Sequence, residues 1–101
     1  MENVENREVM SLGGNIELNG FQNVERSKLV VLKKIIGNLA KEMKEKRSDY
    51  EKLTITLQGD ENNAQIKAEL LAGGSSIIGE DSKGNVFISI DGALKRIIEQ
   101  I

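Results

Sequence analysis

The chain reads as a small α+β domain of two layers in the order β-α-β-β-β-α, with two helices packed on one face of a four-stranded sheet that ends in an antiparallel meander. Three observations predict this. The segment from Ser27 to Arg47 carries apolar residues at helical spacing. Later segments alternate polar and apolar residues, the period of half-buried strands, and Gly-rich clusters separate them. The last stretch, from Val86 to Ile101, again has a continuous apolar face. Each helix has one apolar stripe and each strand one apolar side, so both helices must cover the same sheet face.

Residues 1–14 show no sustained period and finish in Leu12-Gly13-Gly14, which predicts a flexible acidic N-terminal tail. Residues 15–101 then make a single domain, because a chain of 101 residues is too short for a second stable core. Asn15 to Gly20 alternates as a first strand, and Gly20 to Arg26 turns the chain over Phe21 and Val24. Ser27 is a good N-cap for the long helix. Leu29, Leu32, Ile36, Leu39, Ala40 and Met43 form its stripe, with Val31 and Ile35 off to one side. Ser48-Asp49 ends the helix and Tyr50 is expected at the core edge.

Leu53 to Leu57 alternates strictly and is rich in β-branched residues, hence a strand. Gly59 to Asn63 is a turn cluster. Ala64 to Leu71 alternates as a strand, Gly73-Gly74 turns again, and Ser75 to Glu80 supplies a shorter strand. The C-terminal stretch permits two readings. The favoured one is a long helix presenting Val86, Phe87, Ile90, Ala93, Leu94, Ile97 and Ile101, capped by Asp81 or Ser82. In the other, Asp81 to Gly84 is a hairpin turn, Val86 to Ile90 a strand, and Asp91 caps a shorter helix. The open sheet face is expected to carry Glu17, Asn19, Thr54, Thr56, Gln65, Lys67 and Glu69.

Composition closes off several chemistries. With no Cys and no His there is no disulfide, no thiolate nucleophile, no usual zinc site and no histidine base. Carboxylates, Lys and Ser remain, but their spacing matches no catalytic set, so the expectation is a non-catalytic protein without metal or cofactor. No apolar run approaches the roughly 20 residues that span a bilayer, and the acidic start lacks a signal-peptide pattern, so a small soluble cytoplasmic domain with no membrane contact is expected. An aromatic stacking platform is excluded, since the strands offer Thr and Gln where RNA-binding sheets expose Phe or Tyr.

Charge is unevenly distributed beneath a net −2. From Ser27 to Arg47, seven basic residues face two acids, a net +5, whereas Met1 to Glu25 is net −4. Lys33, Lys34, Lys41 and Lys44 lie within about a 100° arc of the long helix, with Gly37 in its middle and Glu42 and Glu45 outside it. Lysines along one line suit a phosphate backbone, and a glycine there admits close approach. The same pattern also describes an ordinary solvated face, with Gly37 accommodating a packed neighbour. Gly73-Gly74-Ser75-Ser76 precedes a strand rather than a helix, so it reads as a turn and not a phosphate loop. Glu80, Asp81 and Asp91 could in principle hold a hard cation, but capping and solvation account for them more simply.

The last fifteen residues carry a further signal. Phe87-Ile88-Ser89-Ile90-Asp91-Gly92-Ala93-Leu94-Lys95-Arg96-Ile97-Ile98-Glu99-Gln100-Ile101 resembles the pattern Tyr-x-Ala-Ile-Asp-x-Leu-x-x-Lys-Leu-x-x-Gln-Leu of the ribosome hibernation and ribosome-associated inhibitor family. Ile90, Asp91 and Gln100 fit outright; Phe87, Ser89, Arg96, Ile97 and Ile101 are near substitutions. The family has the same β-α-β-β-β-α order, similar in shape to double-stranded RNA-binding domains. The resemblance implies binding to ribosomal RNA in the small-subunit channel, and it carries over Arg96 alone by motif position. The expected nucleic-acid-binding residues are therefore Lys33, Lys34, Lys41, Lys44 and Arg47, from charge, and Arg96, from the resemblance. The expected partner is structured RNA or the ribosome. The alternative is a protein-interaction module or homodimer using the open sheet face or a sheet edge.

Overall fold

A computed structural model describes residues 9–101. The elements are β1 (Val9–Gly13), β2 (Ile16–Asn19), α1 (Arg26–Lys46), β3 (Tyr50–Gln58), β4 (Ala64–Ala72), β5 (Ser75–Gly84) and α2 (Val86–Gln100). They form one mixed sheet in the order β1-β2-β3-β4-β5, with the β2–β3 pair parallel and the other pairs antiparallel. The α+β class, the two helices and the antiparallel meander agree with the sequence. The sheet has five strands rather than four.

The additional strand comes from the stretch expected to be a tail. Val9 to Gly13 pairs with β2 through a tight turn in which Gly13, Gly14 and Asn15 all have positive φ, which two glycines and an asparagine tolerate. Met10 and Leu12 pack against the core. Two inward residues, neither of them β-branched, make a weak alternation, so the strand depends on β2 for its formation. The rest of the expected tail, residues 1–8, lies outside the described residues.

Paired residues share a face, and the register places the core. Leu18, Ile55 and Ala68 pair in series, as do Ile16, Leu53 and Leu70; all six are buried. Leu32, Ile36, Ala40 and Met43 of α1 and Ile90, Ala93, Leu94 and Ile97 of α2 close this layer, with Phe21 and Val24 buried beneath the β2–α1 connection as expected. The opposite face carries the series Asn19, Thr56, Lys67, Glu80 and the series Glu17, Thr54, Glu69, Ile78. No aromatic stands in these rows.

Helix ends differ from expectation in instructive ways. Helix α1 starts at Arg26, and Ser27 sits inside its first turn, its hydroxyl donating to Glu25 Oε1 at 3.2 Å. The cap arrives from the β3–β4 turn: Glu61 accepts from the Glu25 N–H at 2.8 Å and from Lys28 Nζ at 2.6 Å. A carboxylate there also meets the positive end of the helix dipole. Helix α2 is capped by Asn85, which accepts from the Phe87 and Ile88 amides at 2.8 and 3.2 Å. Asp81 and Ser82 are not caps, because β5 runs on to Gly84. The helical reading of Val86 onward holds, and Ser89 is buried on it, its Oγ accepting from the Lys83 N–H at 2.9 Å.

Candidate nucleic-acid interface

Helix α1 has one side in the core and one side open. Lys33, Lys34, Lys41 and Lys44 are all exposed on the open side. They span about 16 Å along the axis, at 1.5 Å per residue. The four form no ion pair with any carboxylate among the described residues. Gly37, in their midst, is exposed, and a side chain there would meet nothing within 4 Å. Close packing against the described residues therefore does not account for the glycine. Val30 falls in the same arc and is 53% exposed, a feature that reading the lysines alone passes over.

The arc ends in a cavity of about 350 Å³ lined by Gly14, Asn15, Lys44, Arg47, Ser48 and Tyr50. Lys44 Nζ lies 5.1 Å from the centre of the Tyr50 ring, a cation–π arrangement. The Tyr50 hydroxyl donates toward the Gly14 and Asn15 carbonyls at 3.3 and 3.2 Å. Burial pushes its pKa up to about 12. Tyr50 thus ties the β1–β2 turn to the C-terminal end of α1, a role its sequence position did not suggest.

The remaining two expected residues stand apart. Arg47 is engaged by Asp49 through two bonds, Nε to Oδ1 at 2.9 Å and Nη2 to Oδ2 at 2.8 Å. That hydrogen bonding raises the arginine pKa and lowers the aspartate's. Arg47 borders the cavity as half of an ion pair. Arg96 is exposed on α2. By helical spacing it falls among Gly92, Ser89 and Gln100, which face β5: Gly92 abuts Asp81, Ser89 bonds Lys83, and Gln100 Nε2 donates to the Ile78 carbonyl at 2.9 Å. Helix α1 packs on the other side of α2, toward β3. The structure does not bring Arg96 to the α1 arc.

The other candidates resolve into structural roles. Glu80 pairs with Lys67 on the open face, Asp81 turns toward α2, and Asp91 bridges Lys95 at 3.0 Å, so the three acids do not converge. No cluster of three acid, His or Cys ligands occurs among the described residues. Gly73-Gly74 is the β4–β5 turn, and the Gly74 amide donates to Glu51 at 2.9 Å, so a carboxylate already occupies that amide. The open sheet face holds a groove of about 690 Å³ whose lining includes Thr56, Gln65, Lys67 and Glu80. Among the described residues, no helix is long and apolar enough to cross a membrane. No protein-family model matches this chain, and no match was found among curated proteins.

Proposed function

We propose that this domain is a non-catalytic binding module for structured RNA, such as ribosomal RNA, and that the outer face of α1 is its main contact. The observation that carries the reading is the row of four exposed lysines around Gly37, unpaired among the described residues. The helix holds these charges in line, so the ammonium groups can replace counterions condensed on successive RNA phosphates. Gly37 leaves room for a sugar-phosphate strand to approach the helix backbone. Lys44 extends the row to the cavity beside Tyr50, and Arg96 provides a separate cation on the β5 side. The β-α-β-β-β-α order from β2 to α2 is that of the family the C-terminal helix resembles, which supports the same reading.

Gel shifts with duplex RNA at several salt concentrations test it. Affinity should fall steeply with salt, and Lys34→Glu/Lys41→Glu should remove most binding at low salt. Binding that ignores salt or survives the double reversal would exclude this interface. The alternative, self-association through the open sheet face, draws on Ile78, which is 43% exposed beside half-buried Leu71. Light scattering over a range of concentrations separates it: a stable dimer without RNA affinity favours the sheet face.

A further inference from the structure

We propose that the outer edge of β1, together with the side of α1 that carries Lys33 and Lys44, binds an extended acidic segment of a partner protein as a further strand of the sheet. The site shares these two lysines with the RNA-binding reading but does not depend on it. A sheet edge invites such pairing because every second residue turns its N–H and C=O outward. The two edges of this sheet differ. Strand β5 carries Glu80, Asp81 and Lys83, and α2 reaches its backbone through Gln100 and Ser89. Strand β1 has neither protection: Val9 to Gly13 holds no charge and no proline, and among the described residues no strand pairs with its outer side. A register shift between Ser11 and Gly13 leaves Val9 to Ser11 as its regular part.

Helix α1 brings charge to this edge. Lys28 and Lys44 lie about 160° apart around the helix. Lys28 reaches the β3–β4 turn at Glu61, whereas Lys44 Nζ stands 2.9 Å from the place where a Gly14 side chain would begin, at the β1–β2 turn. The Lys44 side of α1 therefore looks toward β1. Lys33 lies about 20° from Lys44 around the helix and about 16 Å back along its axis. Strand β1 and α1 both run against β2, since α1 returns from the end of β2 to the start of the parallel β3. Lys33 thus falls toward Val9 and Lys44 toward Gly13, residues about 13 Å apart in an extended strand. Gly37, between the two lysines, leaves open space. Met10 and Leu12 pack against the core yet are only half-buried.

These features define the occupant. In an added strand, every second residue faces the helix layer, and three such residues span about 13 Å. An apolar side chain in the middle covers Met10 and Leu12 beneath Gly37. Acids on either side of it reach Lys33 and Lys44, neither of which pairs with a carboxylate among the described residues. The segment that fits is therefore an alternating one, acid-x-apolar-x-acid. A second copy of this chain fits poorly, because pairing two β1 edges about a dyad sets one Lys33–Lys44 side against the other, like charge facing like. Backbone bonds supply most of the affinity and the charges supply the selectivity.

The test titrates the full chain with an end-blocked peptide, Thr-Glu-Thr-Val-Thr-Glu-Thr, and with the same peptide carrying Gln in place of Glu. Amide proton–nitrogen spectra should show saturable shifts over Val9 to Gly13 and over Lys33 to Lys44, with slower exchange of the outward β1 amides. The Gln peptide should bind about fivefold more weakly at low salt, and the variant Lys33→Gln/Lys44→Gln should bind the two peptides equally. Equal affinities in the unaltered chain would overturn the acidic partner. Shifts confined to α1 would overturn strand addition, and so would β1 amides that respond to neither peptide. Amides of β1 that move with protein concentration in the absence of peptide would put a second copy on the edge and overturn the proposal. Loss of the RNA gel shifts would leave all these outcomes unchanged, so the two sites stand or fall separately.

Discussion

A glycine in the middle of an exposed helix face usually destabilises the helix, since it gives up more backbone freedom than alanine and packs nothing. Gly37 has open space where its side chain would be, so Gly37→Ala should stabilise the domain by about 0.5–1 kcal/mol. The check is a higher urea midpoint with an unchanged slope, and weaker RNA binding in the same variant would show that the gap serves the ligand. Glu61 makes a second residue-scale prediction. Bonds from Lys28 and the Glu25 amide hold its carboxyl below the usual value near 4.5. A lowered folded pKa favours folding above the unfolded value, and that contribution is lost as pH falls through the folded one. Glu61→Gln should therefore lower the melting temperature by a few degrees at neutral pH, with the difference shrinking in acid. Tyr50 has the opposite sign. Its pKa near 12 means its stabilisation is intact below about 10 and declines above. As the only tyrosine, its near-ultraviolet phenolate absorbance reports this without interference.

At the scale of elements, β5 shows how the fold deals with a long sheet edge. Its ten residues would expose unpaired backbone groups, yet α2 reaches over them, with Gln100 donating to the Ile78 carbonyl and Ser89 accepting from the Lys83 amide. Gly79 permits this approach, because a side chain there would run into the Ala93 carbonyl and Ile97. Ser89→Ala leaves the Lys83 amide without its partner and should cost about 1–3 kcal/mol, read as a lower denaturant midpoint together with faster exchange of that amide. Periodicity alone located β3, β4, α1 and the helical character of α2. It misplaced the ends, because Ser27 and Asp81 look like caps locally whereas Glu61 and Asn85 provide the acceptors, Glu61 from 36 residues beyond Glu25.

For the molecule as a whole, the decisive property is charge arranged by the fold rather than net charge. A chain that is net −2 is a poor candidate for RNA until α1 puts its lysines on one exposed side. Each of Lys33, Lys34, Lys41 and Lys44 replaced by Gln should reduce the slope of log affinity against log salt by about 1. Arg96→Gln and Arg47→Gln should change it less, the first because it lies on the β5 flank of α2 and the second because Asp49 already holds the guanidinium. Slopes measured across the six variants test the assignment of the face.

The sequence by itself determined the long helix, the alternating strands of the meander and the lysine arc, because period and charge sign are local properties that survive without neighbours. The tertiary structure alone decided what depends on partners distant in the chain. Val9 to Gly13 becomes a strand because β2 offers it an edge, and Glu61 becomes a cap because the β3–β4 turn lands at the start of α1. Tyr50 fastens the hairpin turn to α1, and Arg96 falls by helical spacing on the flank of α2 that faces β5, apart from the lysine arc. In each instance the energy belongs to a pair of groups, and only folding brings the second member of the pair into place.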